Sequence, residues 1–302
     1  MQVALHIGAH ATEGERLLRS VQKNAEALAA AGILVPPHVQ YRRTLRELMQ
    51  AYAGGTLDPS TAREGALDAI LGAARPDRLV MANPAFLCTP NRVFEGRELY
   101  PMLGLKLRAL SAVFAPDRLE LFLALRNPAT FVPAVLSRAK ATSETALLDG
   151  LAPAAIRWSG AIARAREAAP GARLVVWAHE DAPLIWGRLV RRLAGRAGAA
   201  GAAEGGPAGS GALLGEHDLL AQIMTEEGLR RYVAYLRTHP PQSAAQSARI
   251  IAAFLDKYVR PEEIEEEDLP DWPEAVIAEV TAGYEADLDA IAAMDGVEMI
   301  RP

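Results

Sequence analysis

The chain has 302 residues, half of them hydrophobic, and carries 37 acidic against 32 basic side chains for a formal charge of −5. That hydrophobic share can fill one large α/β domain or two smaller ones, and the acidic balance argues against a nucleic-acid partner, which calls for a basic face. The single cysteine, Cys88, excludes an intramolecular disulfide and a cysteine-only metal site, and it suits a reducing cytoplasm.

Val3, Leu5 and Ile7 predict a short strand. Neither a signal peptide nor a membrane span is expected, because Met1 leads into that strand with no basic region and no long apolar run. Leu17, Leu18, Val21, Ala25 and Leu28 recur at three- and four-residue spacing and predict one long amphipathic helix that stops at Gly32. Pro36-Pro37 is a rigid connector. Leu45, Leu48, Met49 and Tyr52 mark a second helix and residues 61–71 a third. Leu79-Val80-Met81 reads as the second strand, ending at Asn83-Pro84, and a helix follows over 102–114.

Residues 119–125 (LELFLAL) are the most strand-like segment. They run into Arg126-Asn127-Pro128, where Asn suits an N-cap and Pro the first helical turn. A helix over 154–168 precedes a fourth strand, Leu174-Val175-Val176-Trp177, after which His179-Glu180-Asp181 and Pro183 open another helix. Residues 195–212 are small and low in complexity, a flexible loop. Helical patterns cover 217–236, 242–258 and 273–294, Val297 to Ile300 is a candidate terminal strand, and the charge run 262–268 (EEIEEED) reads as a solvated face.

Strands alternating with helices predict a three-layer α/β fold with a mostly parallel central sheet. The expected organisation is a core over 1–194, a loop over 195–212 and a helical extension over 213–302 packing on the core. Ligands of such sheets bind beyond the carboxyl ends of the strands, in loops that begin here near Gly8, Asn83, Arg126 and Ala178. A strand turning into a helix through a Gly-containing loop, as over 8–14, is the geometry that cradles anions. Basic pocket candidates are Arg42, Arg43 and Arg46, or Arg188, Arg191, Arg192 and Arg196. His6 is expected in the sheet core. His10 lies in the loop, where an imidazole can take the proton of a hydroxyl. No metal is assigned, since the spacing of His10, Glu13 and His179 gives a metal site no support. The chain lacks G-x-S-x-G, G-x-x-x-x-G-K-[ST] and G-x-G-x-x-G motifs, which weakens hydrolase-elbow, ATPase and dehydrogenase readings. The four tryptophans are dispersed, with core packing their default role.

The segment HIGAHATEGERLL resembles the phosphosulfate-binding loop of bacterial sulfotransferases, and LELFLALRNPATFVPAVLS resembles the second signature of that family. The resemblance covers about residues 1–190. It implies a P-loop-like fold, 3′-phosphoadenosine 5′-phosphosulfate as sulfate donor, and a hydroxyl of a glycan or small metabolite as acceptor. Carried onto this chain, Gly8 and Thr12 contribute the loop, Arg126 and Ser137 hold the donor's phosphate, and His10 is the base. The chain departs from the pattern where Ala11 replaces the catalytic lysine, where Glu13-Gly14-Glu15 replaces Gly-Thr-Thr, and where Ala134 replaces a serine that Ser137 follows by about one turn. The family's late glycine-rich, lysine-containing loop has no counterpart. Two carboxylates at a helix start stabilise it by about 0.3–1 kcal/mol each and repel phosphate. The alternative is therefore a catalytically degenerate relative that binds a ligand or protein partner.

Overall fold

Apolar residues on both sides of each strand seed two separate cores, one on each face of a single sheet. A computed structural model describes residues 1–196, 212–261 and 269–302. In chain order the elements are β1 (Gln2–Gly8), α1 (Arg16–Gln22), α2 (Ala25–Ala30), β2 (Ile33–Leu34), α3 (Arg42–Ala53), α4 (Pro59–Leu71), β3 (Arg78–Ala82) and α5 (Leu103–Val113). Then come β4 (Arg118–Leu125), α6 (Pro128–Leu136), α7 (Glu144–Leu148), α8 (Trp158–Ala168), β5 (Arg173–Ala178) and α9 (Ala182–Ala194). The last are α10 (Asp218–Ile223), α11 (Glu226–Thr238), α12 (Ala244–Tyr258), α13 (Glu274–Ala292) and β6 (Val297–Ile300).

The six strands pair all-parallel in the order β2-β3-β1-β4-β5-β6. Val3, Leu5, Ile7, Leu121, Leu123 and Val176 face one side, where they pack with residues of α3, α5 and α8. Ala4, Val80, Phe122, Ala124, Val175 and Trp177 face the other, against α1 and α9. This is the expected three-layer α/β architecture. The connection from β1 runs towards β2, whereas that from β3 crosses to β4 on the far side of β1. The chain thus reverses direction between β1 and β4, which opens a crevice at their carboxyl ends.

The expected long first helix is two helices, α1 and α2, broken at Lys23-Asn24. Asn24 accounts for the break: its carboxamide accepts from Leu214 N at 2.8 Å and donates to Leu214 O at 2.9 Å, pinning a segment 190 residues away. The expected helix over 217–236 is likewise two, with Thr225 capping α11 through its hydroxyl. A two-residue strand, β2, extends one edge of the sheet, and the terminal strand β6 pairs with β5 at the other. Asn127 caps α6 by accepting from Ala129 N, with Pro128 in the first turn as expected. The loop expected over 195–212 lies outside the described residues except at its ends, and the charge run 262–268 lies outside them entirely. Among the described residues, no helix is long and apolar enough to cross a membrane.

α13 braces the core from behind the crevice. Its buried Asp287 accepts from Trp158 N and Ser159 N at 2.6 and 3.0 Å, satisfying two amides at the start of α8. Thr281 accepts from the Asn127 carboxamide, and Tyr284 donates to Glu180. Trp158 in turn donates from Nε1 to Arg126 O. The loops after β4 and β5 are therefore held by a helix near the end of the sequence.

Candidate functional site

A cleft of about 460 Å³ opens at the carboxyl ends of β1, β4 and β5. Its polar wall comes from the loops after those strands: Glu13 and Arg16, then Arg126 and Thr130, then His179 and Glu180. The facing wall is Leu219 and Ile223 of α10 with Leu255 and the carboxylate Asp256 of α12, so the C-terminal helices cover the crevice. The volume is that of a small-molecule site.

The loop after β1 is folded by its own contacts. Gly8 has φ +135°, and a Cβ there would stand 3.1 Å from Pro84 O, so this position needs glycine. Thr12 donates to Ala9 O at 2.9 Å. Glu13 turns inward rather than towards the start of α1 and is buried. Its Oε1 accepts from Trp177 Nε1 at 2.9 Å and lies 3.0 Å from His179 Nδ1. Burial pushes the carboxyl upward, but the hydrogen bond and charge of His179, the indole N–H and nearby His6 outweigh it and bring it down to about 2. Glu13 Oε2 is buried with no hydrogen-bond partner among the described residues. Glu15, the second carboxylate of the loop, pairs with Arg42 at 2.8 Å.

Of the residues singled out in the sequence, Arg126 lines this cleft. Its Nη1 donates to Ala11 O at 2.6 Å and its Nε to Thr130 Oγ1 at 3.1 Å, so the guanidinium spans from the β4 end to the β1 loop. Gly8 and Thr12 shape the loop without lining the cleft. Ser137 sits at the exposed end of α6 and donates to Ala134 O, away from the cleft. His10, expected at the mouth of the site, lies in the core instead. Its Nδ1 meets Tyr100 Oη at 2.9 Å and its Nε2 meets Cys88 O at 3.0 Å. Burial drives its pKa down to about 4, against the pull of the Cys88 carbonyl, with Arg138 and Lys106 pushing the same way as burial. With both nitrogens bound, it has no lone pair to offer an acceptor hydroxyl.

His6 is buried as expected, its ring tilted 32° to that of Trp177 with centroids 5.7 Å apart, and its burial lowers its pKa. His179, expected to serve the next helix, is the imidazole that lines the cleft. Sequence spacing could not pair it with Glu13 across 166 residues. The usable signal was position, since both follow strand ends. The basic pocket candidates are mostly consumed: Arg191 pairs with Glu216 at 3.0 Å and Arg192 with Glu120 and Glu298, both at 2.9 Å. Among the described residues, no group of three or more His, Cys, Asp or Glu side chains is arranged to hold a metal. No protein-family model, curated protein or solved structure matches the chain.

The phosphosulfate donor fits these residues poorly. A buried, ionised Glu13 occupies the loop that would cradle its phosphates, Ala11 offers no charge, and Ser137 bonds its own helix. The cations that line the cleft are Arg16 and Arg126, and the carboxylates are Glu13, Glu180 and Asp256. Arg16 donates from Nε to Glu13 O and from Nη1 to Gln222 Oε1, both neutral oxygens.

Proposed function

We propose that this chain is a sulfotransferase-like α/β protein that has given up the phosphosulfate donor and binds a small anionic molecule in the cleft after β1, β4 and β5. One observation carries the reading: Glu13, seated between Trp177 and His179, fills the loop where the donor's phosphates belong. A phosphate brought beside that carboxylate meets like-charge repulsion in a partly dry site. Arg16 and Arg126 still bring positive charge to the rim, and Leu219, Ile223 and Leu255 of α10 and α12 supply apolar surface. The ligand class is a carboxylate or sulfate head on a short apolar body, bound at the Arg16 and Arg126 rim rather than beside Glu13. The cleft's size supports a small metabolite over a glycan chain, and its recess behind α10 and α12 supports a small ligand over a protein partner. The single buried cysteine supports a cytoplasmic setting.

Calorimetric titration of the full chain with succinate and with inorganic sulfate tests this. Saturable binding of one of them is expected, weakened about tenfold or more in Arg16→Ala or Arg126→Ala, the equivalent of about 1.4 kcal/mol. An absence of binding heat at millimolar ligand contradicts it.

A further inference from the structure

Binding alone does not account for the pairing of Glu13 with His179. A buried carboxylate held by an indole N–H orients an imidazole by its Nδ1, and that imidazole lines the cleft. This is the arrangement in which a carboxylate fixes the tautomer of a general base and steadies the imidazolium that forms. With Nδ1 directed at Glu13, Nε2 is the nitrogen left for a bound molecule. We propose that His179, oriented by Glu13, is the general base of a hydrolase acting on small esters that carry an anionic group.

The nucleophile is water. Among the described residues the cleft is lined by no serine or cysteine, and the hydroxyl of Thr130 is directed at Asn127 O while accepting from Arg126. As the water oxygen bonds to the ester carbonyl carbon, its proton passes to His179 Nε2. The bond from that carbon to the alcohol oxygen then breaks, and the imidazolium returns the proton to the departing alkoxide. The products are an alcohol and a carboxylic acid, which ionises to solvent. No oxidant, metal or covalent enzyme intermediate enters. The proton on Nδ1 stays facing Glu13 throughout, and Arg16 and Arg126 hold the anionic group that selects the substrate. Glu13 is thus a positioning residue and His179 the catalytic one.

The proposal rests on the anion-binding reading above, and one set of assays separates the two. The full chain is incubated with mono-4-nitrophenyl succinate, with neutral 4-nitrophenyl acetate as the control, and release of nitrophenolate is followed across pH. Turnover above buffer is expected for the anionic ester, with a lower kcat/KM for the neutral one. His179→Gln is expected to lower kcat about 100-fold or more with KM for the anionic ester little changed. Glu13→Gln is expected to lower kcat more than it raises KM, and thermal unfolding of both variants shows whether they are folded. Succinate binding without ester turnover overturns the hydrolase and leaves the binding reading intact. Failure of both overturns both. Turnover unchanged in a folded His179→Gln protein, or equal on the two esters, overturns the assignment.

Discussion

The two ends of the sheet handle buried charge in opposite ways. At the amino ends of the strands, Arg78 bonds Glu120 at 2.7 Å, and Arg192 bridges Glu120 and Glu298 at 2.9 Å each. Close by, Asp117 takes Arg63 at 2.7 Å and the chain's amino group at 3.3 Å. Every carboxylate of that set is answered by a cation, and the cavity of about 440 Å³ beside it, lined by Met1, Arg63, Leu67 and Arg75, lies outside the strand ends. At the carboxyl ends, Glu13 is held through one oxygen, its second oxygen has no hydrogen-bond partner among the described residues, and a cleft opens beside it. Buried polar atoms without partners are rare enough in native proteins to need a reason. One end answers its carboxylates with cations in a clasp, and the other places a half-answered carboxylate beside a cleft.

Breaking the clasp is expected to have the largest effect. Glu120→Ala leaves Arg78 and Arg192 without their shared carboxylate, and removing one partner of a buried pair costs about 3–5 kcal/mol. Urea unfolding should show that loss while anion affinity in the cleft stays unchanged. A matching loss of affinity would dissolve the distinction between the ends.

Acid sharpens the comparison. Both His10 and Glu13 have depressed pKa values in the folded chain. In the unfolded chain His10 takes up its proton as pH falls below its ordinary value of 6.5, while the folded state resists until about 4. Glu13 repeats this between its ordinary 4.5 and about 2. Each contribution is present above its window and lost as pH falls through it, amounting to roughly 3 kcal/mol per group when one pKa unit is worth about 1.4 kcal/mol. The expected record is a decline in stability that begins below pH 6.5 and steepens below pH 4.5. His10→Asn should lessen the slope of the upper part without removing it, since burial lowers His6 and His217 in the same sense.

Trp177→Phe removes one of the two groups that hold Glu13 Oε1. A hydrogen bond to a charged group is worth about 1.5–3 kcal/mol, so the protein should be destabilised by about that much, and succinate affinity should fall with it. An intact affinity would show that Glu13 does not shape the cleft. Ser137→Ala should change stability by less than about 0.5 kcal/mol, as surface substitutions do, and leave anion binding untouched. A clear loss of binding there would return the site to the phosphosulfate pattern.

The fold was legible because its strands carry local signals. Leu119 to Leu125 and Leu174 to Trp177 are apolar on both faces, as parallel strands buried between helices must be. Asn127-Pro128 marked the start of α6 for reasons contained in four residues. The break between α1 and α2 was not legible, because Leu17, Val21, Ala25 and Leu28 keep helical spacing across it and the cause is Leu214. Two-residue β2 is too short to show any period. In the candidate site, Arg126 was legible from its place at a strand end. The role of Glu13 was not: sequence alone set it at a helix start as an obstacle to phosphate, whereas its side chain turns inward to Trp177 and His179. The bracing by α13 did leave a trace, since Thr281, Tyr284 and Asp287 recur every three residues on one helical face.

The central claim is that the loop after β1 has been converted from a phosphosulfate cradle into a support for His179. Calorimetric titration of the full chain with adenosine 3′,5′-bisphosphate at low salt tests it most directly. The expected result is no saturable binding at millimolar nucleotide. Micromolar binding, about −8 kcal/mol, would contradict it and return the chain to the donor-dependent sulfotransferases it resembles.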